Sequence, residues 1–219
     1  MKKVDRKSRI GHEQVVETPI VLTDFPKEKT PRKTRLEKHS YGREEGLQKE
    51  VTKHYEEVLG KDVIPVRKPV SISLPDLRGK TIPDDFALDL TNEEKPKLLL
   101  IEYELSIHEV YSHISTQILK FKDAIRNNRQ NIFETLRGKF KDSDTQLKLY
   151  DAIFNQPIET LVIIDNVEEG VEEIAKRFDV ELMEFSSYVE DKEKGLDSPH
   201  VHFFEPYYEE EIKEKREER

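Results

Sequence analysis

Leu98-Leu99-Leu100-Ile101-Glu102-Tyr103-Glu104-Leu105 is the stretch on which the fold turns. Its first four positions are aliphatic without alternation, the pattern of a central strand covered on both faces. Two carboxylates follow on alternate positions, so Glu102 and Glu104 share one face of the strand while Ile101, Tyr103 and Leu105 share the other. A lone carboxylate in so apolar a segment loses its hydration and tends to protonate, whereas a group of them around a divalent cation stays ionised. Hard oxygen ligands of this kind suit Mg²⁺ or Mn²⁺.

Upstream, Asp85 to Leu90 reads as a second strand, with Asp85, Ala87 and Asp89 on one face and Phe86, Leu88 and Leu90 on the other. The polar stretch Thr91 to Lys97 turns it into the first. Earlier still, Leu47, Val51, Tyr55, Val58 and Leu59 recur at helical spacing between Arg43 and Leu59, and Gly60 stops the helix. Residues 62–74 predict a strand bent at Pro65 or Pro69, followed by turns over Pro75 to Lys80. Downstream, Val110, Ile114, Ile118, Phe121 and Ile125 mark a helix over 108–127, and a further helix covers about 143–154, with no assignment between them. A strand at 161–165, a helix at 168–178 and a strand at 180–185 complete a β-α-β unit.

Composition narrows the chemistry. Without cysteine there is no disulfide, thiolate zinc site or cysteine nucleophile, so a metal must sit on oxygen or imidazole. Charged residues make up 38% of the chain and hydrophobic ones 35%, which implies a compact core and surplus polar length in the tails. The charge is uneven: residues 1–43 hold 12 Lys and Arg against 6 acids, net +6, leaving 25 against 40, net −15, on the remainder. A basic arm can touch phosphates while an acidic body repels nucleic acid. No run reaches the about 18 apolar residues of a membrane span, and the start has no signal-peptide pattern, so a cytoplasmic protein is expected.

The stretch Ile82-Pro83-Asp84-Asp85-Phe86-Ala87-Leu88-Asp89, with Glu102-Tyr103-Glu104 beginning 17 residues after Asp85, resembles the core of the PD-(D/E)xK, or restriction endonuclease-like, nucleases. The element order from 43 to 187 is similar to that superfamily's α-β-β-β-α-β core, a central mixed sheet flanked by helices. The resemblance implies Asp85 as first metal ligand, with Asp84 or Asp89 as substitutes, Glu102 as second and the backbone carbonyl of Tyr103 as third. Glu104 stands where the family usually has Lys; it would bind metal or orient the attacking water, as in those restriction enzymes that carry Glu there.

Other candidates are weaker as signals. His113 and Gln117 lie i, i+4 on the helix after the acids, where some nuclease branches place a supporting Gln; Tyr111 and Lys120 flank them. A solvated amphipathic stripe explains the same pattern. Glu50 on the first helix can point into the site, as an acid there does in some relatives, or face water. His200 and His202 share one face of a strand as a metal pair or as ordinary surface residues. There is no P-loop, no GxSxG and no dinucleotide fingerprint.

The expectation is therefore a nuclease-like domain over 42–204, preceded by a basic extended arm, 1–41, and followed by a charged tail, 205–219. Within the arm, Ile20-Val21-Leu22 is apolar enough for a strand. The implied activity is Mg²⁺- or Mn²⁺-dependent hydrolysis of nucleic acid, DNA before RNA. Arg32, Lys33 and Arg35, with Lys38 and Arg43, would contact phosphates. Many members of the superfamily are dimers, so a homodimer is allowed. The competing expectation is an inactive nuclease fold serving as a binding or assembly module, with the absent Lys as its mark.

Overall fold

The structure is a computed structural model describing residues 20–23, 35–66, 72–74, 79–81, 83–107, 110–168 and 170–207. Its strands and helices in chain order are β1 (Ile20–Thr23), β2 (Glu37–Lys38), α1 (Glu44–Lys53), α2 (Tyr55–Leu59), β3 (Val63–Val66), β4 (Ile72–Leu74), β5 (Gly79–Thr81) and β6 (Asp85–Asp89). Then come β7 (Lys97–Glu104), α3 (Val110–Arg137), α4 (Ser143–Phe154), β8 (Glu159–Ile164), α5 (Val171–Phe178), β9 (Glu181–Val189) and β10 (His200–Phe204).

One mixed sheet organises these elements, in the order β1-β10-β9-β8-β7-β6-β3, with β2 also paired to β9. β3, β6 and β7 run antiparallel in turn, β7-β8-β9 are parallel, and β10 and β1 return antiparallel. The aliphatic run of β7 lies at the middle of the sheet because both its faces are covered: Leu98, Leu99, Leu100 and Ile101 are all fully buried. Leu99, Ile101 and Tyr103 pack with Leu47, Val51 and Val58 of α1 and α2. Leu98 and Leu100 pack on the opposite face with Phe121, Ile125 and Ile132 of α3 and with Leu149 and Ile153 of α4. α5 closes over Val162 and Ile164 of β8 on this second face.

The helix expected over 43–59 breaks at His54, whose φ of −113° and ψ of 31° separate α1 from α2. Gly60, at a φ of 101° that few other residues adopt, then ends α2. The helix after the acids runs ten residues past its expected end, to Arg137, with a kink at Asn128. There the side chain of Asn128 donates to the carbonyl of Ala124 at 2.7 Å, competing with the backbone ladder. The expected bent strand is two strands in different sheets, since among the described residues β4 pairs with β5 alone in a separate antiparallel two-stranded sheet, and β5 takes part of the stretch expected as turn. β9 extends to Val189, longer than its apolar core. β1 and β2 fall inside the segment expected as an arm and are built into the sheet, β1 at its edge beside β10 and β2 against β9, with Leu22 packing against the core beside α1. At the other end, the Tyr207 N–H donates to the Val58 carbonyl at 2.9 Å.

Candidate metal centre

β6 and β7 meet at Asp85↔Ile101, Phe86↔Leu100 and Ala87↔Leu99. Directly opposed residues of an antiparallel pair point to the same face. Asp85 therefore shares the face of Ile101 and Tyr103, beneath α1, and not that of Glu102. Its carboxylate accepts from the Tyr103 hydroxyl at 3.3 Å and from Gln48 of α1 at 3.4 Å. Continuing the register by one residue sets Asp84 opposite Glu102, and the Asp84 N–H donates to Glu102 Oε1 at 3.4 Å. The pairing thus turns Asp85, the expected first position, away from Glu102 and sets its expected substitute Asp84 there. Asp84, the acid of the Pro83-Asp84 dipeptide, faces Glu102, because a one-residue step along a strand reverses the side-chain direction.

Glu102 and Glu104 alternate with Leu98 and Leu100 and pair with Val162 and Ile164 across the parallel ladder, which places them on the α3–α5 face. Both are buried, at 5% and 2% exposure. Asp84 Oδ2 accepts from the Tyr103 N–H at 2.9 Å, so the Asp84 side chain stands where a strand partner would otherwise continue. The residue that would next oppose Tyr103 is Pro83, which has no N–H; β6 accordingly offers no backbone donor to the Tyr103 carbonyl.

Like charges and burial act together here. Burial is the main cause that pushes the Asp84 carboxyl up to about 6, against the Tyr103 N–H that stabilises the anion and with Glu44, Glu104 and Asp85 adding repulsion. Burial likewise pushes Glu102 up to about 9, reinforced by Asp84, Glu104 and Glu44 and opposed by the Asp84 N–H. Among the described residues, no Lys or Arg forms an ion pair with Asp84 or Glu102. Glu44 had no place among the sequence candidates. It stands one helical turn before Gln48, and that i, i+4 pair at the start of α1 was the available signal.

Glu50 lies away from these acids. It is buried, Lys53 Nζ donates to its two oxygens at 2.7 and 2.8 Å, and its neighbours are His200 and His202. The two histidines correct an expectation of surface exposure: β10 is interior, between β9 and β1, and they are 6% and 1% exposed. Among the described residues, Glu50, His200 and His202 form a group whose ligand atoms all lie within 4.8 Å of one another; Asp84, Glu102 and Glu104 do not meet that closely as a threesome.

His113, Gln117, Lys120 and Tyr111 all fall on α3, but their side chains lie outside the described residues. Arg32 and Lys33 are also outside them. Arg35 and Arg43 are exposed, while Lys38 donates to Asn166 Oδ1 and stands 4.0 Å from Glu184. A cleft of about 460 Å³ between Leu36, Met183, Tyr188, Phe203 and Tyr207 includes none of the acids of β6 and β7. No described helix is long and apolar enough to cross a membrane.

The fold and site define a mixed α/β protein with a buried carboxylate cluster at the end of its central strand. No family model matches the chain, and no curated protein or solved structure is significantly similar to it.

Proposed function

We propose that the chain is a metal-dependent nuclease of the restriction endonuclease-like type, hydrolysing phosphodiester bonds with DNA as the first substrate to test. The observation that carries this is the β6–β7 register, which sets the acid of Pro83-Asp84 across from Glu102 with Glu104 on the same face. Support comes also from the element order, α1, then antiparallel β3-β6-β7, then α3 and α4 crossing to β8 parallel to β7. In open α/β sheets, sites form beyond the carboxyl ends of parallel strands, and Glu104 is the last residue of β7.

Asp84 and Glu102 would hold Mg²⁺ or Mn²⁺ together with the Tyr103 carbonyl, the remaining positions going to water as these ions prefer. Bound there, the cation supplies Lewis acidity and a water of lowered pKa. Glu104 orients the attacking water and accepts its proton, the role open to a carboxylate where the family usually places Lys. Glu44 adds negative charge at the rim, and Gln48 ties α1 to the strand by bonding Asp85 and the Asp84 carbonyl.

Calorimetric titration of Mn²⁺ and Mg²⁺ into the wild type, Asp84→Asn and Glu102→Gln, with cleavage of single- and double-stranded DNA and of RNA on the same samples, tests the proposal. Binding and cutting lost in both variants support it. A chain that binds neither ion would instead be a nuclease fold kept for interaction, the alternative that Glu104 and the acidic body favour.

A further inference from the structure

We propose that Glu50, His200 and His202 form a second cation site, taking a borderline transition-metal ion such as Zn²⁺, which fastens helix α1 to strand β10. The three ligand atoms lie within 4.8 Å of one another and all three residues are buried. Two imidazoles and one carboxylate are a donor set for Zn²⁺ rather than for Mg²⁺, which favours oxygen and water. The site is therefore chemically distinct from the acids of β6 and β7 and does not depend on the nuclease assignment.

The rings are held as ligating histidines are held. His200 Nδ1 lies 2.8 Å from the Ser198 carbonyl, which can only accept, so Nδ1 carries the hydrogen and Nε2 the lone pair. His202 Nδ1 lies 2.7 Å from Ser187 Oγ, itself bonded to the Tyr41 hydroxyl, a hydroxyl pair able to accept the Nδ1 hydrogen and leave Nε2 with the lone pair. The two ring centroids are 5.0 Å apart. His54, at the break between α1 and α2, brings another imidazole to 5.2 Å from His202, and its buried Nε2 has no hydrogen-bond partner among the described residues.

Lys53 joins buried Glu50 to the solvent-exposed side of α1. Its side chain is about half exposed while Glu50 is buried, and it holds Glu50 one turn along α1 as a removable counter-ion. A cation entering the site competes with Lys53 for the carboxylate. Metal binding at Glu50 would anchor the same helix whose Gln48 reaches Asp85.

The test uses the full chain carrying Asp84→Asn and Glu102→Gln, which removes the two carboxylates proposed as ligands of the first site. Titration with Zn²⁺, and with Co²⁺ for its visible absorption, is expected to show one equivalent bound, ligand-field bands and a raised melting temperature. Adding His202→Gln or Glu50→Gln should weaken binding by about 100-fold or more, and Ser187→Ala by roughly 10- to 100-fold. Lys53→Met should bind Zn²⁺ more tightly and regain its melting temperature when Zn²⁺ is added, which a purely structural ion pair does not predict. Circular dichroism of each apo variant establishes that it is folded. No Zn²⁺ bound by the folded double variant, unchanged affinity in His202→Gln, or no rescue of Lys53→Met would overturn the site. Loss of Mn²⁺-dependent cleavage alone would bear only on the nuclease.

Discussion

Asp84 and Asp85 are adjacent acids with opposite surroundings, and this separates their roles by measurement. Asp85→Ala removes the acceptor for Tyr103 and Gln48 in a buried setting and is expected to lower stability by about 1–3 kcal/mol in urea unfolding while leaving Mn²⁺ binding intact. Asp84→Asn should do the reverse, abolishing Mn²⁺ binding without a comparable loss of stability. The sequence presents both acids side by side at the start of one short strand, and only pairing register decides which meets Glu102. Register depends on the partner strand, so the sequence leaves Asp84, Asp85 and Asp89 open, and the pairing decides which of them faces Glu102. The raised carboxyls make a second prediction. In the presence of chelator, the unfolded chain ionises Glu102 near 4.5 and the folded chain near 9, so the folded state binds the extra proton between those values. Stability from this group is complete below about 4.5 and lost as pH rises towards 9, with Asp84 adding a smaller loss between 3.8 and about 6. Urea midpoints taken from pH 4 to 9 should fall for the wild type and flatten in Glu102→Gln, which cannot ionise; parallel curves would remove Glu102 as the cause.

At the scale of elements, β7 declares itself because burial on both faces requires an unbroken aliphatic run, and α4 because its period is uninterrupted between Ser143 and Phe154. Leu100→Ala should therefore cost about 2–5 kcal/mol, the range for emptying a fully buried leucine, and would show as a lowered urea midpoint with circular dichroism otherwise native. β10 was not legible in the same way. His200-Val201-His202-Phe203-Phe204 mixes imidazoles with apolar residues, and its burial is created by β1, almost the whole length of the chain away. The extent of α3 was hidden for a different reason. Asn128 sits in its middle with a non-helical backbone, interrupting the period while Ile132 and Leu136 beyond it still pack on the sheet.

Over the whole molecule, the +6 of residues 1–43 and the −15 of the remainder set how any nucleic acid must approach. An acidic surface repels phosphate at a distance, so under the proposed nuclease reading attraction would come from the basic segment and from cations bound at the acids. Lys38 is already engaged with Asn166 and Glu184, whereas Arg35 and Arg43 are exposed. Each phosphate neutralised by a basic side chain contributes about −0.9 to the slope of log binding constant against log salt on duplex DNA. Replacing Arg32, Lys33 and Arg35 together with Gln should thus make that slope less negative by up to about 2.7 and weaken binding most at low salt, while the turnover of bound substrate stays unchanged. Binding measured by fluorescence anisotropy in Ca²⁺, across a salt series, gives the slope without the rate. A slope that does not move would take these three cations out of the proposed DNA binding and leave it to cations bound at the acids of β6 and β7.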